Sequence, residues 1–165
     1  MKMKPQLDKS LEENARALVP LLFDDLFTRL SAFGKGPVRA DDLHEIRLSG
    51  KKLRYVMETV QKAFGDEFQA RLAQIKELVT LMGSIHDCDI HLPRLVGHLE
   101  VLRAFNRLAK PTAARMPLGG VRHLLREQER EREELCRELF AMIGQWKKSR
   151  SRERLFASLS PKGTP

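Results

Sequence analysis

Long apolar runs, cysteines and aromatic side chains are all scarce in this chain of 165 residues. No apolar run approaches the roughly 20 residues that a membrane-spanning helix needs, so membrane insertion is not expected. The two cysteines, Cys88 and Cys136, lie far apart and in no metal-like spacing, which predicts reduced, buried thiols in a cytoplasmic protein. The N-terminal stretch MKMKPQLDKS is charged and precedes no apolar segment, so no signal peptide is predicted.

Long alternation of polar and apolar residues is also missing, and no pair of strands is predicted. Apolar residues instead recur at spacings of three and four, as in amphipathic helices. Helices are predicted over about 8–33, 41–64, 66–105, 121–146 and 153–159. With 42% hydrophobic residues, the composition supports one all-α domain over 1–165, an antiparallel helical bundle. Its ordered core is expected at about 8–160, with a loose N-terminus and C-terminal tail.

Breaker and cap residues set the expected helix boundaries. Asp41 or Asp42 is expected to cap the second helix and Gly65 to end it. Pro20 is expected to kink the first helix and Pro93 to bend the third. The segments 33–38 (FGKGPV) and 109–120 are predicted to be loops. The predicted core stripe of the first helix is Leu11, Ala15, Leu18, Leu22, Leu26 and Leu30.

The formal net charge of +8 indicates a polyanionic partner. Nucleic acid, a phosphate polymer, an anionic membrane surface and an acidic protein all fit this charge. The arrangement of the cations must therefore distinguish these partners.

The stretch LHEIRLSGKKLRY, residues 43–55, crowds cations beside a helical apolar stripe. The stripe consists of Leu43, Ile46, Gly50, Leu53, Met57, Val60 and Phe64. On the adjoining arc lies what we call the basic row: His44, Arg47, Lys51 and Arg54. Tyr55 and the acid Glu58 share that arc, and Lys52 lies further round the helix. Gly50 is costly in mid-helix, so a close neighbour is expected there.

Two interpretations of the basic row compete. A solvated face with salt bridges would place the cationic stems over the rim of the core. A polyanion-binding face would use the forked guanidinium groups and compact ammonium groups on successive phosphates. The second is favoured because Glu58 is the one acid on the arc. A similar arc on the 121–146 helix carries Arg122, Arg126, Arg130 and Arg137, but Glu129 and Glu133 partly neutralise it.

These residues resemble a known family. LHEIRLSGKKLRY is similar to the signature of the CHAD family, the conserved-histidine α-helical domain: Leu-His-x-x-Arg, three residues, then Lys/Arg-Lys/Arg-Leu-Arg. Residues 72–90, LAQIKELVTLMGSIHDCDI, resemble a second family segment and match it at Lys76, Gly83, Asp87 and Asp89. Val79 and Met82 depart from that segment. The resemblance is close over about residues 39–106.

The resemblance implies a helical domain that binds inorganic polyphosphate, or a similar phosphate polyanion, without catalysis. It implies no cofactor, no metal site and no catalytic residue. The binding residues carried over from the two motifs are His44, Arg47, Lys51, Lys52, Arg54, Tyr55 and Lys76. Helical geometry adds Arg122, Arg126 and Arg130 as candidates.

Larger family members hold two related halves, whereas this chain has one clear copy of the His-Arg-Lys pattern. Either the chain forms a compact single bundle, or two chains pair as a homodimer that rebuilds the larger arrangement.

Other functions remain as alternatives. A nucleic-acid-binding module would use the same cations, but Tyr55 is the only tyrosine and stacking platforms are scarce. A module that docks acidic proteins would also use them. The His86–Asp87 pair suggests, more weakly, an HD-type metal-dependent phosphohydrolase. Pairing of Asp87 and Asp89 with neighbouring cations is the simpler expectation for this segment.

Overall fold

The computed structural model describes residues 8–33 and 39–160. These residues form five α-helices and no strands: α1 (Leu11–Phe33), α2 (Ala40–Val60), α3 (Asp66–Leu108), α4 (Gly119–Lys148) and α5 (Ser151–Ala157). Short 3₁₀ turns occupy Gln61–Ala63 and Thr112–Ala114. The predicted all-α fold class is confirmed. None of the described helices has the length and apolarity needed to cross a membrane.

Contacts divide the chain into two compact units. The first contains 8–33, 39–82 and 139–160, and the second contains 83–138. The single domain over 1–165 stays a prediction. The predicted loose termini and most of the predicted 33–38 loop fall outside the described residues.

Side-chain hydrogen bonds explain where α1 begins, whereas α2 begins without them. Ser10 and Glu13 form a capping box at α1: the Ser10 Oγ accepts from the Glu13 N–H at 3.1 Å, and the Glu13 carboxylate accepts from the Ser10 N–H at 2.8 Å. Arg39 precedes α2 in an extended conformation without a side-chain cap, so the predicted Asp41 or Asp42 cap is wrong. Both acids lie in the first turn instead, where their negative charges interact favourably with the positive end of the helix dipole.

Gly65 does not end α2 but lies directly before the first residue of α3. Its carbonyl accepts the first hydrogen bonds of α3, from the N–H groups of Phe68 and Gln69, at 3.1 and 3.3 Å. The α2 segment closes earlier, through the 3₁₀ turn at Gln61–Ala63. α3 then continues through Pro93 to Leu108, three residues beyond its predicted end.

The core of the first unit includes the apolar stripe predicted for α2, and all seven of its members are buried. The stripe predicted for α1 is only half correct. Ala15, Leu26 and Leu30 are buried, but Leu11 is exposed. α1 buries Val19, Phe23 and Phe33 instead, and the Phe23 ring stacks on Trp146 of α4 with centroids 6.1 Å apart.

Gly50 marks the close approach of α2 to α3. A Cβ at Gly50 would lie 3.0 Å from Val79 Cγ2 and 3.1 Å from Met82 Cε. The expected close neighbour is therefore present, and it consists of side chains of α3.

The last two helices differ from their predicted bounds by two residues at each end. α4 runs Gly119–Lys148 rather than 121–146, and α5 runs Ser151–Ala157 rather than 153–159. Between them Arg150 adopts a left-handed conformation with φ of 51°. The described part of the 109–120 loop also contains one 3₁₀ turn, Thr112–Ala114.

Candidate functional site

The basic row lies along α2 at the edge of the buried stripe. His44, Arg47, Lys51 and Arg54 are all half-buried, at spacings of three, four and three. Their Cα atoms extend over about 15 Å of helix. The half-burial means that the stems of these side chains pack beside the core while their cationic groups lie at its rim.

Two further predicted residues, Lys52 and Tyr55, are exposed on α2, and Tyr55 keeps 55% of its surface. The guanidinium carbon of Arg54 lies 5.9 Å from the centre of the Tyr55 ring. At this distance the ring contributes a weak cation–π contact. Tyr55 therefore helps to orient Arg54.

Arg47 has unused hydrogen-bonding capacity in this row. Its Nε is buried and has no hydrogen-bond partner among the described residues. No described carboxylate pairs with Arg47 or with Lys51. A buried, charged donor without an acceptor is energetically costly, so an anion at this position would gain from it.

Arg54 and the predicted Lys76 share one acid, Glu58. Arg54 Nε donates to Glu58 Oε1 at 3.0 Å, and Lys76 Nζ of α3 lies 3.3 Å from the same oxygen. Burial favours the neutral acid, but hydrogen bonds from Arg54 and Lys76 and their charges outweigh it, so the pKa of Glu58 is lowered. This triad connects α2 to α3 and brings Lys76 to the end of the row.

Ser49 and Asp25 support α2 from the side of α1. The Ser49 hydroxyl is buried and donates to Asp25 Oδ2 at 2.5 Å, and Arg29 Nε donates to both Asp25 oxygens. Burial raises the pKa of Asp25, but these hydrogen bonds and the charges of Arg29 and Lys52 lower it overall. This pair was not predicted from the sequence, although a serine beside Gly50 at the edge of an apolar stripe indicates a buried hydrogen bond.

Arg122, Arg126 and Arg130 belong to the second unit and are exposed on α4. Arg130 Nη2 pairs with Glu127 Oε2 at 2.6 Å, and Arg137 lies 4.0 Å from Glu134. The acids in these two contacts stand three residues before the arginines, and they are not the predicted Glu129 and Glu133. A binding role for the three arginines stays a prediction.

The model of the CHAD domain family matches residues 2–96, which is more than half of the chain. The chain belongs to the CHAD domain family. No curated protein and no solved structure gives a significant match. The basic row, Lys52, Tyr55 and Lys76 all fall inside the matched CHAD region, whereas Arg122, Arg126 and Arg130 fall outside it.

The second CHAD-like motif contains a buried ion pair. Asp89 Oδ1 accepts from Arg132 Nε of α4 at 2.6 Å, and only 9% of the Asp89 side chain is exposed. The expected pairing of Asp89 with a cation is thus confirmed, although Arg132 was not predicted as its partner. Asp87 is exposed and forms no ion pair with the described residues, so its expected pairing is not supported.

No group of three or more His, Cys, Asp and Glu side chains in the described residues could hold a metal ion. The segments outside the description, 1–7, 34–38 and 161–165, contain none of these residue types. His86 and Asp87 therefore gain no support as a metal site.

The two cysteines are buried and free, as predicted. Burial raises the pKa of both the Cys88 and the Cys136 thiol. Cys88 Sγ also accepts a hydrogen bond from Gln128 Nε2 at 3.3 Å. Both thiols are therefore poor nucleophiles, in keeping with a structural role.

Proposed function

We propose that this CHAD domain binds inorganic polyphosphate, or a similar phosphate polyanion, through the basic row of α2. The observation that carries the proposal is the absence of a described carboxylate partner for Arg47 and Lys51, in the middle of the row. Their charge is therefore not neutralised within the described part of the protein. Membership of the CHAD family supports the same ligand class.

Binding would rest on charge-assisted hydrogen bonds from a rigid helix. Arg47 and Arg54 can each direct two N–H groups at phosphate oxygens, while Lys51 supplies a compact charge between them. The row is held in place by the buried stripe beneath it, so little side-chain freedom is lost on binding. Lys52, Tyr55 and Lys76 are proposed as flanking contacts, and His44 as the contact at the N-terminal end.

We propose a binding module rather than an enzyme, acting in the cytoplasm. The raised pKa of the buried thiols leaves no activated nucleophile at Cys88 or Cys136. Reduced thiols also suit a cytoplasmic protein. Phosphate release from polyphosphate, measured with Mg²⁺ or Mn²⁺ present, is expected to equal the background without protein.

Nucleic acid and acidic proteins are the alternative partners for the same cations. A linear phosphate polymer is preferred because the row offers closely spaced charges and only one exposed aromatic, Tyr55, beside them. Long polyphosphate is therefore expected to displace labelled DNA at much lower concentration than DNA displaces polyphosphate. The reverse order would favour a nucleic-acid-binding module.

The decisive experiment compares two charge-removing double variants. Arg47→Gln with Lys51→Gln removes two charges from the row, and Lys62→Gln with Lys147→Gln removes two charges outside it. Polyphosphate affinity, measured by calorimetry at fixed salt, is expected to fall at least tenfold further in the first variant. Equal losses in both would mean that net charge, and not the row, determines binding.

A further inference from the structure

A cavity in the first unit is lined by α3, the end of α4 and α5. Its volume is about 450 Å³. This volume lies within the range of about 300–1,000 Å³ that is typical of small-molecule sites. The walls from α4 and α5 lie beyond residues 2–96, so the family match assigns no role to this cavity.

Three cations line this cavity: Arg71, Lys148 and Arg154. Arg71 Nη2 forms an ion pair with Glu67 Oε1 at 2.9 Å. The Arg71 Nε, however, is buried and has no hydrogen-bond partner among the described residues. No described carboxylate pairs with Lys148 or Arg154. Glu77 also lines the cavity and forms no ion pair there. Three cations and one acid thus line the cavity, so the lining carries a net positive charge.

The remaining lining is suited to an apolar or aromatic group. Met142 and Trp146 line the cavity together with polar groups such as Ser149. Trp146 is fixed by stacking on Phe23 and is only 7% exposed. The Ser149 hydroxyl lies 2.8 Å from that of Ser151, which holds the turn between α4 and α5. Cationic and apolar side chains thus line the same cavity.

We propose that this cavity binds a small phosphorylated molecule with an aromatic or apolar part. The phosphate lies against Lys148 and Arg154, with Arg71 behind them, and the apolar part lies against Met142 and Trp146. A volume of about 450 Å³ suits a small ligand. The proposal is independent of the polyphosphate site, because it uses none of the basic row.

Trp146 is the only tryptophan of the chain, so its fluorescence reports directly on the cavity. The experiment titrates the protein with phenyl phosphate and with AMP, and follows tryptophan emission alongside calorimetry. Both probes are expected to bind saturably with a change in emission. Adenosine and inorganic phosphate, which each carry half of the required chemistry, are expected to bind at least tenfold more weakly.

Lys148 and Lys147 provide a matched pair of variants, because both are exposed in the last turn of α4 and only Lys148 lines the cavity. Lys148→Gln is expected to weaken binding of both probes about tenfold, and Lys147→Gln to leave it unchanged. Equal effects of the two variants, or no saturable binding of either probe, would overturn the proposal. The Arg47→Gln, Lys51→Gln variant is expected to bind both probes normally, which separates this site from the polyphosphate site.

Discussion

Glu58 forms an ion pair with Arg54, one turn earlier on α2, at a distance of 3.0 Å. The same carboxylate oxygen lies 3.3 Å from Nζ of Lys76. Glu58 therefore occupies the position that a phosphate group would need in order to use both cations. A bound polyphosphate must displace the carboxylate or share its partners, so Glu58 lowers the affinity of the proposed site.

Removing the charge of Glu58 is expected to strengthen polyphosphate binding. An ion pair of this exposure is worth about 0.2–1 kcal/mol, so Glu58→Gln should raise affinity about 1.4- to 5-fold. Glu45→Gln is the control, because Glu45 is an exposed acid on α2 that lies outside the basic arc. Titration calorimetry of the two variants would contradict this role if they bound polyphosphate equally well.

The lowered pKa of Glu58 also predicts how stability depends on pH. Because the folded pKa of Glu58 lies below its ordinary value of 4.5, ionised Glu58 stabilises the fold above that value, and the contribution disappears as pH falls through the folded pKa. Urea unfolding should therefore show wild type more stable than Glu58→Gln at about pH 6, with the gap closing towards about pH 3. A gap of the same size at both values would mean that the ion pairs of Glu58 do not stabilise the fold.

Replacing Gly50 by Ala is expected to change stability in the direction opposite to that predicted by helix propensity. In an open helix interior, Gly→Ala stabilises by up to about 1 kcal/mol. At Gly50 the new methyl group would meet the stiff, β-branched Val79 at 3.0 Å, so we expect Gly50→Ala to destabilise by about 1 kcal/mol.

Gly144 of α4 is the matched control, because a Cβ there meets nothing within 4 Å. Gly144→Ala is expected to stabilise by about 0.5–1 kcal/mol. Thermal unfolding of both variants tests the pair. A gain at Gly50 similar to that at Gly144 would show that α2 and α3 have room to separate.

Periodicity located the buried face of α2 well because most of its apolar residues occupy a single stripe. All seven predicted members are buried, from Leu43 to Phe64. α1 has leucines on several faces, so a stripe drawn through leucines alone was ambiguous. The stacking of Phe23 on Trp146 favours the stripe that buries Val19 and Phe23, and that contact joins residues far apart in sequence.

In the candidate site, too, features set by one helix could be predicted and features set by packing between helices could not. The basic row could be predicted because its spacing is local to one helix. The pairs Asp25–Ser49, Glu58–Lys76 and Asp89–Arg132 could not, because each joins two different helices and depends on how those helices pack. The unsatisfied Nε of Arg47 likewise follows from packing rather than from spacing.

Arg132 and Arg130 of α4 form ion pairs of equal length but different burial. Comparing them isolates the effect of burial on the strength of an ion pair. Both lie 2.6 Å from a carboxylate oxygen, but Asp89, the partner of Arg132, is 9% exposed and Glu127, the partner of Arg130, is 45% exposed. Arg132→Met leaves a buried carboxylate without its cation and is expected to cost about 3 kcal/mol of unfolding free energy. Arg130→Met removes an exposed pair and is expected to cost less than about 0.5 kcal/mol.

Adding Asp89→Leu to Arg132→Met tests the cause of that loss. Because the double variant removes the uncompensated charge along with the pair, it is expected to recover most of the lost stability. Denaturant unfolding of the three variants measures both effects. If the double variant stayed as unstable as Arg132→Met, the loss would come from the packing of the arginine stem and not from the stranded carboxylate.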